Sequence, residues 1–487
     1  MNAILNKRRA GILLHISSLP QKDLGADAYH FIDFLNNTGV SVWQTLPIGM
    51  THADGSPYQC LSAHAGNIEL VSSAWLVNQG WLTKEEECAQ CDGKRLFNKS
   101  CLLEKALQGF LNKASQKQHD AFAQFCAQQA FWLDDFALFM VLRKEFNQQC
   151  WNQWPVGYKE RDTTTLKAAK QHLKNALTAI QFEQYVFFTQ WAELKNYANK
   201  KGILLFGDIP IFVSYDSADV WANRDVFKLN EHGEMSVVAG VPPDYFSEYG
   251  QRWGNPHYNW TYLKKTGFHW WIERLQTQMA CFDILRIDHF RGLEAAWEIP
   301  ASEPTAMNGH WQKAPGKALL NAIQQELGDI ALVAEDLGII TDEVIALRDD
   351  FNLPGMKILQ FAFGDNADNP YLPNNYIKNC VVYTGTHDND TTVGWLNTLN
   401  EAQKKHIYDY LGNPNSSLHC ALIQAALASV ANLAIIPMQD ILELDSAHRM
   451  NTPGTVVGNW AWQYQWQQLS AQRTARLAHL VELFNRR

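Results

Sequence analysis

"FDILRIDHFRG", residues 282–292, begins as a buried β-strand and ends in charge. Phe282, Ile284, Leu285 and Ile287 are apolar, whereas Arg286, Asp288, His289 and Arg291 crowd into six residues. Side chains alternate along a strand, so Ile284, Arg286 and Asp288 share one face. Burying charge is costly unless it is paired. A strand that is apolar in its middle and ionisable at its C-terminal end fits a barrel strand feeding a catalytic rim.

Seven further short apolar runs recur, each ending in polar residues or Gly/Pro. They are "GILLHISS" from Gly11, "VSVWQTLPIG" from Val40, "ILLFGDIPIFV" from Ile203, "IALVAEDLG" from Ile330, "MKILQFAFG" from Met356, "CVVYTGTHDND" from Cys380 and "LAIIPMQDIL" from Leu433. Helix-like segments such as residues 317–327 and 342–350 lie between them. Apolar strands alternating with helices argue for a parallel sheet covered on both faces. Eight such units predict a closed (β/α)₈ TIM barrel, class α/β, spanning residues 1–487 as one catalytic domain. A doubly wound open sheet is the alternative, but no G-x-G-x-x-G follows the first strand.

Two connections are too long to be plain. Residues 51–200 read as a largely helical inserted subdomain after the second strand. Residues 214–281 form a second insertion after the third. Both follow strand C-terminal ends, the face of a barrel that carries active sites, so both are expected to wall the site.

Composition narrows the function classes. The chain has 487 residues, 46% hydrophobic and 19% charged, with a net charge of −9. That balance opposes a general attraction to nucleic acid or to an anionic membrane. The 18 Trp and 16 Tyr offer either core packing or flat platforms for sugar rings. Nine scattered Cys without framework spacing suggest reduced thiols and a cytoplasmic protein. The lone C-x-x-C at Cys88 and Cys91 reads as helical surface. The opening "NKRRAGILLHISSLP" is too short in its apolar run for a signal peptide, and no stretch reads as a transmembrane span.

Chemistry gathers at the strand ends. Asp208 closes "LLFGD", Glu335 and Asp336 close "ALVAED", and His387 and Asp388 close "YTGTHD". With Asp288, four strands deliver carboxylates to one rim. Asp336 and Asp390 suit plain salt bridges or helix caps. Converging carboxylates suit glycosidic chemistry, in which a retaining enzyme pairs an ionised nucleophile with a protonated acid about 5–5.5 Å away. Arg286, on the face of Asp288, is expected to keep that carboxylate ionised. Glu335, between Val333 and Leu337, is expected to be desolvated and raised in pKa.

These segments, in order, resemble the 4-α-glucanotransferases known as amylomaltases or disproportionating enzymes, relatives of the α-amylases. "GILLHISSLP" resembles the family's first strand. "GSPYQ" (55–59) and "SAHAGN" (62–67) resemble its donor-site loop. "GDIPIFV" (207–213), "RIDHFRG" (286–292), "AEDLG" (334–338) and "THDND" (386–390) resemble its catalytic segments. "AGVPPDYFSEYGQRWGNPHY" (239–258) resembles the loop that separates it from ordinary amylases, and "GHWQKAPG" (309–316) is also similar. The resemblance covers nearly the whole chain and implies no β-sandwich domain after the barrel.

It also implies roles. Asp288 is then the nucleophile, Glu335 the general acid/base, and Asp388 a group that binds sugar hydroxyls and stabilises the transition state. Arg286 pairs with the nucleophile. Tyr58, Asp208 and His387 line the sugar site, and Tyr245, Phe246 and Trp253 belong to the loop over the glucan. Departures from the family pattern are Ile16 for Pro, "MTHAD" (50–54) for a Gly-rich approach, His64 for Phe, Ile68 for Pro and Gln463 for Arg. None removes a catalytic group.

The implied reaction moves an α-1,4-glucan segment from a maltooligosaccharide or starch-type donor to the 4-OH of another glucan or of glucose. It proceeds by double displacement through a covalent glucosyl-enzyme, with no metal or other cofactor. Three alternatives use the same rim: an α-amylase-type hydrolase with water as acceptor, an inactive glucan-binding protein, and a divalent-metal enzyme. The loop 239–258 favours transfer. The intact acid set opposes the inactive reading, and no His pair at ligand spacing supports the metal.

Overall fold

The computed structural model describes residues 2–88, 99–243, 247–364, 366–455 and 457–487. Twelve strands form in the described chain: β1 (Arg9–Leu13), β2 (Val42–Gln44), β3 (Leu204–Pro210), β4 (Val237–Val241), β5 (Gln251–Pro256), β6 (Ile284–Asp288), β7 (Ala295–Pro300), β8 (His310–Lys313), β9 (Leu332–Ala334), β10 (Gly355–Ile358), β11 (Cys380–Tyr383) and β12 (Leu433–Pro437). Eight of them make one sheet in the order β10-β11-β12-β1-β2-β3-β6-β9, and every pairing in it is parallel. Each of the eight apolar runs supplies one of these strands, so the expected (β/α)₈ TIM barrel is the fold.

Strand alternation sorts the core into two compartments. Leu13, Val42, Phe206, Ile284, Val333, Ile358, Tyr383 and Ile435 point inward and pack together. Their neighbours Ile12, Trp43, Leu205, Leu285 and Ile436 point outward and join the larger core beneath the helices. A period of two places successive residues on opposite faces, which is why the runs are apolar throughout. Toward the strand C-termini the inward layer turns polar: the Tyr383 hydroxyl donates to Gln44 Oε1 at 3.0 Å, and Asp208 sits in register beside Arg286.

The barrel's seam lies between β9 and β10. The Ala334 N–H donates to the Pro354 carbonyl at 2.9 Å. Asp336 bridges the rest, accepting the Met356 N–H at 2.7 Å and pairing with Arg348 at 2.5 Å. A Cβ at position 355 would stand 2.3 Å from the Asp336 carboxylate, so Gly355 lets that carboxylate reach the backbone. Asp336 is thus the structural acid its sequence context suggested.

Between β2 and β3 run the helices Ser100–Lys113, Gln116–Glu145 and Lys174–Lys200. Trp81, Phe110, Phe122, Phe182 and Tyr185 interlock there, with ring centroids 4.8–6.4 Å apart. Trp43, Trp151, Trp221 and Trp271 are fully buried, so these four indoles serve packing and not sugar stacking. Gln116–Glu145 is long and apolar enough to span a membrane by length and composition alone, which the sequence reading did not register. Its buried residues, Trp132, Leu133, Phe136 to Arg143 among them, lie within the protein core.

The other four strands form a separate antiparallel sheet, β5-β4-β7-β8. It joins the connection after β3 to the connection after β6, with Val238, Ile299 and Ala306 as its small core. Neither β7 nor β8 was apparent in the sequence: β8 pairs with its chain neighbour β7, whereas β7 also pairs with β4, more than fifty residues away. Among the described residues, seven cysteines are free. Cys101 is disulfide-bonded, which departs from the expectation that all nine are reduced. Cys91 of the C-x-x-C lies outside the described residues.

Candidate active site

Arg286 stands at the centre of the rim, only 5% exposed. It spans two carboxylates, donating through Nη1 to Asp208 Oδ2 at 2.5 Å and through Nη2 to Asp288 Oδ1 at 2.7 Å. Both contacts follow from strand geometry: Asp208 is its register partner on β3, and Asp288 is two residues on along β6. The Tyr58 hydroxyl donates to the same Asp208 Oδ2 at 2.7 Å. Asp208 Oδ1 is buried without a partner. Burial opposes the charge of Arg286, but Asp208 and Asp288 outweigh it and raise the guanidinium pKa.

Glu335 brackets Asp288. Its backbone N–H donates to the Ile287 carbonyl at 3.1 Å, and its carbonyl accepts the Phe290 N–H at 3.0 Å. Its Oε2 accepts the His289 N–H at 2.6 Å, and Oε1 accepts the Leu337 N–H at 3.1 Å. His289 adopts a left-handed φ of 52°, a conformation that costs energy for a side chain other than Gly and clusters at functional sites. The bond to Glu335 helps hold it there.

Burial raises the pKa of both Glu335 and Asp288. Glu335 is pushed up to about 7, with Arg286 and the His289 N–H opposing the rise. Asp288 is pushed up to about 8, with Arg286 opposing while Asp208, Glu335 and Asp388 repel it further. The expectation for Glu335 holds. Arg286 pairs with Asp288 as expected, but it does not offset desolvation and three neighbouring carboxylates. The two groups titrate as a pair. Arg286 donates directly to Asp288, whereas Glu335 receives only backbone N–H groups. We therefore assign the proton of the singly protonated pair to Glu335 and the charge to Asp288.

His387 and Asp388 follow β11. His387 is buried, and its pKa is lowered by desolvation. It stacks on Tyr58 with ring centroids 5.2 Å apart and 14° between planes, and its Nε2 lies 3.4 Å from Asp388 Oδ2. The Asp388 side chain is 48% exposed, facing the open rim. Trp253 meets His289 edge-on at 4.8 Å. Tyr58, Asp208, Arg286, Asp288, Glu335, His387, Asp388 and Trp253 are thus linked in one constellation, while Tyr245 and Phe246 lie outside the described residues.

Sequence reasoning missed the support for Asp388. Asn451 Nδ2 donates to its Oδ1 at 2.6 Å, and Arg449 Nη2 donates to its carbonyl at 2.9 Å. Trp460 tilts against Tyr58 and His387, with centroids 5.9 and 6.1 Å away. These residues follow the last barrel strand and carry no local motif. Asp390 is structural, accepting from Ser446 Oγ at 2.7 Å. The departures from the family pattern are absorbed locally: His64 stacks on Trp132 and meets Thr277 Oγ1 at 3.0 Å, Gln463 donates to the Leu19 carbonyl at 3.0 Å, and Ile16 is buried.

This geometry has close counterparts. Residues 14–470 match the glycoside hydrolase 77 family, described as 4-alpha-glucanotransferase. The chain is 47% identical to a 4-alpha-glucanotransferase of Synechocystis sp., covering 99% of both chains. It is 46% identical to one of Thermus thermophilus, covering 98% of this chain and 99% of that one. The solved amylomaltase of Streptococcus agalactiae in complex with acarbose is 38% identical and superposes with a TM-score of 0.94, covering 99% of this chain and 100% of that one. With the barrel, the paired carboxylates and full-length similarity in agreement, the chain belongs to the 4-alpha-glucanotransferase family.

Proposed function

We propose that this 4-alpha-glucanotransferase works through Asp288 as nucleophile and Glu335 as general acid/base, with glucose as well as longer glucans as acceptor. The observation that carries the reading is the Arg286 bridge between Asp208 and Asp288 beside a Glu335 that receives no charged donor. One guanidinium favours charge on Asp288, and burial favours a proton on Glu335.

The steps follow from those protonation states. Glu335 gives its proton to the glycosidic oxygen as an Asp288 oxygen attacks the anomeric carbon. The reducing-end fragment leaves, and the donor segment stays esterified to Asp288. The ionised Glu335 then takes the proton of an acceptor 4-OH, whose oxygen attacks the same carbon and releases Asp288. Two inversions retain the α anomer. Asp388, braced by Asn451, bonds sugar hydroxyls and tightens its hold as positive charge develops on the ring. Tyr58 stacked on His387 forms the floor of the donor sugar's site, and Trp253, edge-on to His289, stands over it; the family resemblance gives its loop, residues 239–258, the role of holding the glucan.

Maltotriose alone tests this reading. Transfer yields glucose and longer chains while conserving the number of reducing ends, whereas hydrolysis increases it. Incubation with isotopically labelled glucose should place the label at the reducing end of new oligosaccharides. Absence of label in any oligosaccharide would exclude glucose as an acceptor.

A further inference from the structure

Cys420 is the third residue of helix Leu418–Ala428, whose N-cap Ser417 accepts its N–H at 3.4 Å. It is partly exposed, and His419, Arg476 and Glu443 converge on its sulfur, with Glu443 Oε1 4.0 Å away. His419 Nε2 lies 2.7 Å from the Asp440 carbonyl. A carbonyl can only accept, so Nε2 carries a hydrogen, and Nδ1 faces Cys420 Sγ at 3.7 Å. Arg476 Nη1 donates to the sulfur at 2.8 Å, and its Nη2 pairs with Glu443 Oε1 at 2.7 Å. Arg473 pairs with the other Glu443 oxygen at 3.4 Å. A base in reach of the thiol, a guanidinium on the sulfur and a helix N-terminus all favour thiolate.

The His419, Cys420 and Glu443 donor atoms lie within 4.8 Å of one another, close enough for a divalent ion to bridge. Arg476 already supplies positive charge to both the sulfur and Glu443, so the geometry favours a thiolate over a metal centre. We propose that Cys420 is a modification site, a thiolate held by His419 and Arg476 that reacts with hydrogen peroxide.

The step balances within the cluster. The thiol proton passes to His419 Nδ1. The sulfur attacks one peroxide oxygen, forming an S–O bond as the O–O bond breaks. Sulfur is oxidised by two electrons to the sulfenate level, and peroxide is reduced to hydroxide, which takes the His419 proton and leaves as water. The product is a sulfenic acid at Cys420.

These contacts set this thiol apart from the other cysteines. Its pKa is lowered, first by the contact with His419, with Ser417 and Arg476 adding to it. Burial instead raises Cys60, Cys126, Cys150, Cys281 and Cys380 to between about 11 and about 12. Cys88 is exposed and has no such cluster around it among the described residues, so it reports on accessibility.

The test treats the full chain with limiting hydrogen peroxide and a sulfenic-acid trap, then quantifies trapped peptides by mass spectrometry. Cys420 should be trapped at pH 7 at least about tenfold faster than Cys88, because the thiolate is the reacting species. Its rate should rise less steeply with pH than that of a free cysteine thiol in a peptide. Arg476→Gln should slow trapping several-fold, Arg476→Lys should keep most of the rate, and unchanged transfer activity would show both variants folded. Equal trapping of Cys88 and Cys420, or an Arg476→Gln rate like wild type, would overturn the proposal. So would uptake of one zinc ion per chain that disappears in Cys420→Ser, since the cluster would then be a metal site.

Discussion

The Glu335 carboxylate accepts the backbone N–H of His289 at 2.6 Å. With the flanking backbone bonds to Ile287 and Phe290, this fixes the proposed acid against the segment carrying the proposed nucleophile. Two adjacent barrel strands, β6 and β9, thereby hold the Asp288 and Glu335 carboxylates relative to one another through main-chain contacts. Preorganisation of this kind is what a two-step displacement requires, because misplacement by about 1 Å can cost about 10²-fold in rate.

Asp288→Asn and Glu335→Gln should each abolish nearly all transfer while leaving the fold intact. Each removes a chemical step and no apolar contact, and acid–base help alone contributes about 10²–10⁴ in rate. Maltotriose turnover together with circular dichroism decides the matter. A variant retaining more than roughly a tenth of wild-type turnover would contradict the assignment.

Asp388→Asn should lower kcat more than it raises KM, since its contacts strengthen as the ring gains charge. Asn451→Ala should cause a smaller loss of the same kind, because it frees Asp388 without removing it. Steady-state kinetics separate the effects, and a change confined to KM would make Asp388 a ground-state binding residue.

Arg286→Met should be the most destabilising of these substitutions. It leaves Asp208 and Asp288 facing each other without their cation, and breaking a buried ion pair typically costs about 3–5 kcal/mol. It should also raise the apparent pKa values of the reacting pair further, since Arg286 lowers both. Thermal melts and the pH profile of residual activity provide the two readouts.

Transfer should decline as pH rises through about 7 to about 8, where the pair loses the proton that the acid must donate. Stability should change in the same direction. The folded pKa of Glu335, about 7, lies above its unfolded value of 4.5. The native state therefore binds more protons, and this contribution is present below pH 4.5 and lost as pH rises through 7. Glu335→Gln should accordingly show a shallower fall in melting temperature between pH 5 and 8 than wild type. Parallel melting curves would show that Glu335 is not raised.

Tyr245→Ser, Phe246→Ser and Trp253→Ala should each raise the hydrolytic share of product. Water stands at about 55 M, yet a bound and aligned acceptor reaches effective molarities of about 10⁵–10⁸ M. On the proposed role of this loop, the sugar wins only while the loop holds it and shields the intermediate. Counting new reducing ends per glucose released measures the ratio. An unchanged ratio in folded variants would place acceptor selection elsewhere, with Tyr58 the next candidate.

The sequence by itself determined the barrel and the identity of its polar rim. Eight apolar runs that each end in polar residues or Gly/Pro, four of them in carboxylates, leave few other folds, because strand alternation and the cost of burying unpaired charge act locally. Asp208, Arg286, Asp288, Glu335, His387 and Asp388 were legible for the same reason: each closes or lines a strand. Only the tertiary structure decided what those groups meet. The brace of Asn451 and Arg449 on Asp388, the seam closed by Asp336, and the sheet joining β4 to β7 all pair residues distant in sequence. No local pattern encodes such contacts. The balance on Asp288 was likewise invisible in the chain. Its net pKa depends on burial and on three carboxylates from other strands, set against one arginine that the sequence did place beside it.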